Sequence, residues 1–467
     1  MLCPCCFKLI FTVQSSFMNR TIIVLILIGL FSYAVKAQDN LNMELIYHWD
    51  EGGTVASSAW GNIYNEVWGY VQDEREYAII GTTEGTHFLD ITDPSEPVEV
   101  DYVAGTQQGP IVVHRDYHNL DNYLYMVCQE GQSSLQIADL SYLPDSVHVV
   151  YDSDEILVGS HNIFIDTTQA VLYAVFNFVT GTNNIVRWQR IDISEPENPV
   201  LIDQSTTGPY IHDLYVDDGL AFMNRGNTDM AVYDFNQEPP AILGGIDGYI
   251  GQGYNHSGYP TPDLNTYVMG DETHGSPIKI LDVSDLTDIE VLSTVTSGID
   301  ELSIAHNQIV HEGRMYSAYY YDGIYAWSIE DPSNPVLLGY YDTSELNHQQ
   351  SYEGAWGVYP FLPSGNILVS DMQTGLWIFQ LDPILSTKDD DFDIPVNLWP
   401  NPADDVLNVQ TSAQVESFSV VDLGGKVILS GKTKSQAQLD ISDLAKGIYV
   451  LKLNSDRGIL NKKFIVK

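Results

Sequence analysis

The stretch HNIFID at residues 161–166 is one copy of a motif that recurs along most of the chain. Six further copies recur at intervals of about 44 to 51 residues, beginning at Trp68, Arg115, His212, His256, His306 and Trp356. After each copy comes a short run rich in Tyr, Val, Ile and Met, and then a second run that ends in an acidic turn, such as DPSEP at residues 93–97. Repeats of this length are typical of the blades of a β-propeller.

The repeats predict an all-β domain, because short apolar and aromatic runs alternate with Gly, Asp, Asn and Pro and a helical period is almost absent. A repeat of three or four strands cannot bury both of its faces alone, so successive sheets are expected to stack. Seven copies therefore predict a closed, seven-bladed β-propeller. MELIYHWD from Met43 precedes the first copy and the last copy ends early near Leu381, so the N-terminal strand is expected to complete the last blade. An open solenoid is the alternative.

The composition excludes some partners. The chain has 467 residues, with 20 Lys and Arg against 63 Asp and Glu, which gives a formal net charge of −43. Such a chain repels phosphate backbones and anionic lipid surfaces, so we expect no nucleic-acid partner. A hydrophobic content of 44% still supplies enough material for a folded core. The acidic excess is typical of a well-solvated surface, with a cation-binding surface as the alternative.

The N-terminal segment, residues 1–37, has the pattern of an export signal. Met18 and Arg20 precede the apolar run TIIVLILIGLFSYA, and cleavage is expected after Ala37. Translation is expected to start at Met18, which makes the residues before it an upstream extension. The alternative is a membrane anchor, but the run is shorter than the roughly 20 residues that a span requires. We therefore predict an exported protein without a transmembrane anchor in the mature chain.

The cysteines fit this interpretation. Cys3, Cys5 and Cys6 lie in the upstream extension, which leaves Cys128 alone in the predicted mature chain. An internal disulfide is therefore not expected, although an exported protein reaches a compartment that permits one. Cys128 ends a strand-like run, so we predict that it is buried rather than reactive.

Equivalent positions in successive blades are expected to lie at equivalent distances from the propeller axis. One level of side chains is therefore predicted to line the central channel: His161, His212, His256 and His306, completed by Arg115, Trp68 and Trp356. Acidic and amide neighbours are expected beside this level: Asp116, Asp213, Asn162 and Asn307. Imidazole nitrogens suit zinc, copper, iron or nickel, and a nearby carboxylate can orient a ligand or act as a base. The four histidines are therefore candidate metal ligands in a channel binding site.

A structural role for the same histidines is the alternative. A His-Asn or His-Asp pair at the start of a strand can bond the backbone of the adjoining blade, and such a peg would recur in identical register without any ligand. The cofactor therefore stays open, with a divalent transition metal or calcium as the candidates. Nucleophile elbows, H-E-x-x-H motifs and P-loops are missing from the sequence, so no catalytic residue is predicted.

The order of the motifs resembles a known family. WGYVQDEREYAIIGTTEGTHFLDITDPSEP from Trp68 is followed by HRDYHNLDNYLYMV, SSLQIADLSYLP, SHNIFID and YIHDLYVDDGLAF. This order resembles bacterial proteins called choice-of-anchor B, whose blades are similar to LVIVD repeats, over roughly residues 60–383. The resemblance implies a secreted or surface-exposed propeller with interchangeable anchoring signals, and it brings no established catalytic activity.

The last part of the chain forms a second pattern. A charge-rich linker at 384–395 precedes PNPA at residues 400–403, LNV from Leu407, FSVVDLGGKVI from Phe418, LDISDLAKGIYVLKL from Leu439 and a final KKFIVK. This order resembles the type IX (Por) secretion sorting domain. The resemblance implies that the type IX machinery carries the folded protein across an outer membrane and that a sortase then removes residues 396–467. A plain accessory β-sandwich is the alternative.

Four segments are thus predicted: an extension plus signal peptide (1–37), a seven-bladed propeller (38–383), a linker (384–395) and a small β-sandwich sorting domain (396–467). The expected function is that of a binding or adhesion module, secreted or attached to the cell surface, with an unidentified surface ligand or protein as its partner. A metal-dependent hydrolase or lyase with a histidine-lined site at the propeller axis is the alternative.

Overall fold

The computed structural model describes residues 40–178, 185–344, 346–381, 396–421, 426–442, 444–455 and 458–467. The predicted signal segment (1–37) and the predicted linker (384–395) lie outside the described residues, so these domain boundaries stay predictions. The regular structure of the described ranges consists of β-strands. Among these residues, no helix has the length and apolar character that crossing a membrane would require.

Seven antiparallel sheets, the blades, contain all strands up to residue 381. The N-terminal strands are β1 (Asn40–Leu41) and β2 (Met43–Trp49). Blades 1 to 3 consist of β3 (Tyr64–Gln72), β4 (Arg75–Thr82), β5 (Gly85–Asp90), β6 (Val98–Ala104); β7 (Arg115–Leu120), β8 (Tyr123–Cys128), β9 (Leu135–Asp139), β10 (His148–Ser153); and β11 (Asn162–Asp166), β12 (Val171–Phe178), β13 (Ile185–Asp192), β14 (Val200–Ser205).

The remaining blades repeat the same four-stranded order. Blades 4 and 5 consist of β15 (Asp213–Asp217), β16 (Leu220–Asn224), β17 (Met230–Asp234), β18 (Ala241–Ile246); and β19 (Asn255–Pro260), β20 (Thr266–Asp271), β21 (Ile278–Asp282), β22 (Glu290–Val295). Blades 6 and 7 contain β23 (Gln308–His311), β24 (Arg314–Tyr319), β25 (Gly323–Ser328), β26 (Val336–Tyr341); and β27 (Ala355–Tyr359), β28 (Asn366–Asp371), β29 (Gly375–Leu381).

The N-terminal strand completes the last blade, as predicted. β2 pairs antiparallel with β29, from Met43 opposite Leu381 to Trp49 opposite Leu376. β1 also adds to blade 6 as a fifth strand, with Leu41 opposite Tyr340, a pairing that the sequence did not predict. The N-terminus therefore joins two neighbouring blades.

Packing between the blades closes the ring. Each blade shares a cluster of buried apolar side chains with the next, and the last interface joins blade 7 to blade 1. At this closing interface Tyr64 and Ile80 of blade 1 pack with Leu368 and Ile378 of blade 7, all of them buried. The ring is therefore closed. The seven-bladed prediction is confirmed.

Cys128 is also buried and forms no disulfide, and burial raises the pKa of its thiol to about 11, which fits a structural role.

The C-terminal strands form two packed sheets. The strands are β30 (Val396–Trp399), β31 (Val406–Thr411), β32 (Val415–Val421), β33 (Val427–Lys432), β34 (Gln436–Asp440), β35 (Gly447–Ser455) and β36 (Gly458–Val466). One sheet has the order β30-β31-β34 and the other β33-β32-β35-β36. Buried side chains of both sheets, including Leu407, Leu439, Leu451 and Phe464, form one core. This arrangement is the predicted small β-sandwich.

The N-terminal closure gives a stability prediction. Deleting residues 40–49 leaves blade 7 with three strands and removes the buried Met43 side chain together with the partly buried Leu45. Because each buried side chain of this size contributes about 1.5–3 kcal/mol, the free energy of unfolding is expected to fall by about 3 kcal/mol or more in urea titrations. Deleting only 40–41, which removes β1, is the control and should cost much less. Equal effects of the two deletions would contradict this account.

Candidate functional site

Six aromatic side chains meet in the central channel, one from each of blades 2 to 7. They form the histidine cluster: His114, His161, His212, His256, His306 and Trp356. Neighbouring ring centroids lie 4.7, 4.2, 4.1, 4.5 and 4.2 Å apart in that order, and the ring of His114 lies 5.3 Å from that of Trp356. The cluster therefore closes around the axis, and it contains all four histidines that the sequence singled out.

Two predicted members lie elsewhere. The Arg115 side chain points away from the channel, where Nε donates to the main-chain O of Thr82 at 2.7 Å and Nη2 donates to that of Gln107 at 2.7 Å. His114, one residue earlier, takes its place in the cluster. Trp68 lies deeper in the channel, beyond the level of the histidines. Arg115 still borders the space below the histidines, although its guanidinium group bonds main-chain oxygens elsewhere, and Trp68 borders the next cavity along the axis.

The histidines do bond the neighbouring blade, as the structural alternative proposed. Nδ1 of His212 lies 3.1 Å from the main-chain O of His256, and Nδ1 of His306 lies 2.7 Å from that of Trp356. A carbonyl oxygen only accepts, so Nδ1 must carry the proton in both rings and Nε2 keeps its lone pair. These imidazoles thus hold adjacent blades together by Nδ1, and Nε2 keeps a lone pair that can bind a metal or accept a hydrogen bond from a ligand.

The ring nitrogens are uncharged near neutral pH. Burial lowers the pKa of His212 to about 3 and that of His306 to about 3, since a charged imidazolium would be poorly solvated there. Burial also lowers the pKa of His161 and His256 well below the ordinary value. These four histidines therefore present neutral imidazoles, the form that binds metals.

A layer of carboxyl groups lies directly beyond the histidines. We call it the carboxyl layer; its members are Glu66, Asp116 and Asp213, accompanied by Asn162 and Asn307, and they border both the space below the histidines and the next cavity along the axis. Asp116 accepts a hydrogen bond from the backbone N–H of Ile163 in the next blade at 2.6 Å. Across the channel, Asn307 donates to Glu66 at 3.0 Å. These groups also connect blades.

Burial strongly disfavours the charged form of these carboxyl groups. It raises the pKa of Asp116 to about 7 and, together with the charge of Asp116, raises that of Glu66 to about 8. The pKa of Asp213 is raised well above its ordinary range by burial and by Asp116. The layer therefore holds protons near neutral pH.

A second closed set of aromatic side chains lies on the far side of the carboxyl layer. This aromatic cluster contains Trp68, His118, Phe164, Tyr215, Tyr259, Phe361 and Tyr359, with neighbouring centroids 4.7 to 6.1 Å apart. Burial lowers the pKa of His118 to about 4, so this imidazole is neutral too. The channel is therefore layered: histidine cluster, carboxyl layer, aromatic cluster.

A cavity of about 630 Å³ opens above the histidine cluster. We call it the mouth cavity; it is lined by His114, Gln129, His161, Tyr210, His212, Tyr254, Glu272, Thr273, His274, Gln350 and Tyr352. Burial raises the pKa of Glu272 to about 7. Among the described residues, one His and acidic group has the spacing of a metal site, namely His212, His256 and Glu272. The mouth cavity thus combines imidazoles, tyrosines and a carboxyl group.

The sequence missed several of these residues. His114 could have been found, because it stands directly before a strand start, as His161 and His212 do. Glu272 follows β20 and reaches the cavity only through the loop that comes after this strand, so repeat spacing carried no signal for it. Glu66 lies in blade 1, two residues before the copy of the motif that begins at Trp68, so the repeat did not indicate it. That the channel binds a ligand stays a prediction.

The carboxyl layer gives a pH prediction. The folded chain keeps the Asp116 proton between about pH 4 and 7, whereas the unfolded chain loses it, so stability falls as pH rises through this window. Relative to Asp116→Asn, the wild-type free energy of unfolding should fall by about 3 kcal/mol between pH 5 and 8, at about 1.4 kcal/mol per pH unit up to the pKa of about 7. Urea titrations at pH 5, 6, 7 and 8 measure this difference. The exposed Glu290→Gln is the control. A difference that is constant with pH would rule out the buried proton.

Comparisons with known proteins agree with this architecture. Residues 397–467 match the sequence model of the secretion system C-terminal sorting domain. The comparison with curated proteins found no match. The chain is similar to the solved structures of U3-55K and of the RRP9 WD40 repeats, with TM-scores of 0.52 and 0.51 and 8% identity to each; both matches cover 73% of this chain and 98% and 97% of the other chains.

At 8% identity these structures show the fold alone. The sorting domain shows the route of the protein, since domains of this family direct their proteins to the type IX secretion machinery. The chain is therefore an all-β propeller protein with a C-terminal sorting domain, exported by type IX secretion to the cell surface or the extracellular space.

Proposed function

We propose that this protein is an exported binding module whose ligand enters the mouth cavity above the histidine cluster. The observation that carries the proposal is the cavity itself: about 630 Å³ lies within the range of ordinary small-molecule sites. It is framed by loops of several blades, and the rigid ring holds these loops in place. The C-terminal sorting domain and the resemblance of residues 60–383 to choice-of-anchor B proteins both support a role outside the cell.

The lining favours a polar ligand that is neutral or positively charged. Tyr210, Tyr254 and Tyr352 offer aromatic faces and hydroxyl groups, while Glu272 adds a carboxyl group. Tyr352 is held in place by its neighbours, since its ring packs against Trp60 at 5.1 Å and against Tyr320 at 5.7 Å between ring centroids. With a net charge of −43, the protein attracts cations and repels anions. A sugar-like or amine-bearing group fits this chemistry.

The fate of the C-terminal domain is part of the proposal. After export, a sortase removes the sorting domain and the propeller is attached to surface lipopolysaccharide or released. In either case the mouth cavity faces the medium, where a ligand reaches it without crossing a membrane.

A metal-dependent hydrolase or lyase is the second candidate. The observation that favours it is the grouping of His212, His256 and Glu272, two of which, His212 and Glu272, line the mouth cavity. Two histidines and a glutamate that hold a metal with an open position occur in hydrolytic zinc sites. A binding module needs no such chemistry, so turnover of a bound ligand would separate the two candidates.

The proposal predicts at which end of the channel the ligand binds. The purified protein is screened by thermal shift against polar small molecules, including saccharides and amines, and hits are titrated by calorimetry. We expect Tyr254→Ala and Tyr352→Ala to weaken binding at least tenfold, which is about 1.4 kcal/mol, because each removes a wall of the cavity. Phe361→Ala, in the aromatic cluster at the other end, is the matched control and should bind as wild type does. A ligand that binds Tyr254→Ala and Tyr352→Ala as tightly as it binds the wild type would contradict the proposal.

A further inference from the structure

We propose that His212, His256 and Glu272 bind one divalent transition metal ion where the histidine cluster meets the mouth cavity. One potential ligand atom from each residue lies within 4.8 Å of the others. Nε2 of His256 lies 4.0 Å from a carboxylate oxygen of Glu272. Ligand atoms around tetrahedral zinc lie about 3.4 Å apart, as metal–ligand distances of about 2.0–2.1 Å require. Small side-chain rotations would close this gap.

The surrounding hydrogen bonds prepare two of the ligands. Nδ1 of His212 donates to the main-chain O of His256, which fixes the ring and leaves the Nε2 lone pair free. Glu272 accepts a hydrogen bond from the hydroxyl group of the buried Tyr320 at 2.5 Å on one oxygen, Oε1. The other oxygen, Oε2, is the one that faces His256. Ligands of metal sites are commonly held by such outer bonds.

His256 is the most buried of the three proposed metal ligands. Its side chain is only 4% exposed, and its ring interacts with the main chain of His306 in the next blade, as the rings of His212 and His306 interact with the blades after them. Nε2, the other ring nitrogen, lies 4.0 Å from the Glu272 carboxylate and is the atom that a metal would bind.

The donor set selects the kind of metal. Two imidazole nitrogens and one carboxylate suit zinc, cobalt, nickel, copper or iron, whereas calcium prefers oxygen ligands alone. Three protein ligands leave at least one coordination position open. Two of the three ligands, His212 and Glu272, line the mouth cavity. This inference deepens the proposed function. It rests on that proposal only for the place where the ligand binds, because a ligand in the mouth cavity would contact the metal directly.

Cobalt titration of the full chain tests the inference. The protein carries no histidine tag, is stripped with a chelator and is titrated with Co²⁺, while calorimetry gives the stoichiometry and visible absorption reports nitrogen ligation. We expect one Co²⁺ per chain, displaced by Zn²⁺. Glu272→Gln and His256→Ala should each weaken binding at least tenfold, whereas His118→Gln, a buried histidine of the aromatic cluster, should bind as wild type does.

Thermal melting shows whether each variant is folded, and Glu272→Gln keeps the size of the side chain, so at least one variant remains interpretable. Absence of Co²⁺ binding by the folded wild type, unchanged affinity in Glu272→Gln, or equal loss in His118→Gln would each overturn the metal site. Ligand binding that depends on Tyr254 without any metal would remove this inference and leave the proposed function standing. Metal binding without any ligand that depends on the mouth cavity would do the reverse.

Discussion

The packing of blade 7 against blade 1 is the constraint on which the rest of the structure depends. Tyr64 and Ile80 of the first blade share a core with Leu368 and Ile378 of the last, and β2 supplies the outer strand of blade 7 from the other end of the chain. Without this interface, blade 1 and blade 7 would each expose one apolar face to solvent. With it, residues hundreds of positions apart become neighbours around one axis.

Closure also explains why the same residue type recurs at the axis. Each innermost strand begins at the same end of the channel, so a histidine that bonds the next blade can be repeated in every blade. His212 and His306 do so through Nδ1. The bonds that hold the blades together thereby orient Nε2 of these two rings as free donor atoms, and structural and ligand-binding roles are combined rather than opposed.

The sequence predicted the fold well, because the repeat period, the strand length and the early end of the last copy are all properties of the chain itself. It predicted four of the five histidines in the cluster, since they follow the repeat. The different positions of the Arg115 and His114 side chains have a simple cause: successive side chains of a strand point to opposite faces, so a shift of one residue exchanges channel and blade interior. His114 was lost by that shift. The role of Glu272 could not be predicted from the sequence, because the loop that carries it is not part of the repeated motif.

The central claim is that neutral imidazoles join successive blades around the axis, and the protonation of their nitrogens tests it most directly. Nuclear magnetic resonance of the protein labelled with ¹⁵N-histidine reports the tautomer of each ring, with single His→Gln variants for assignment. The account predicts that at pH 6.5 His212 and His306 are neutral and carry their proton on Nδ1. Charged rings, or neutral rings with the proton on Nε2, would show that the blades are not joined in this way and would contradict the account.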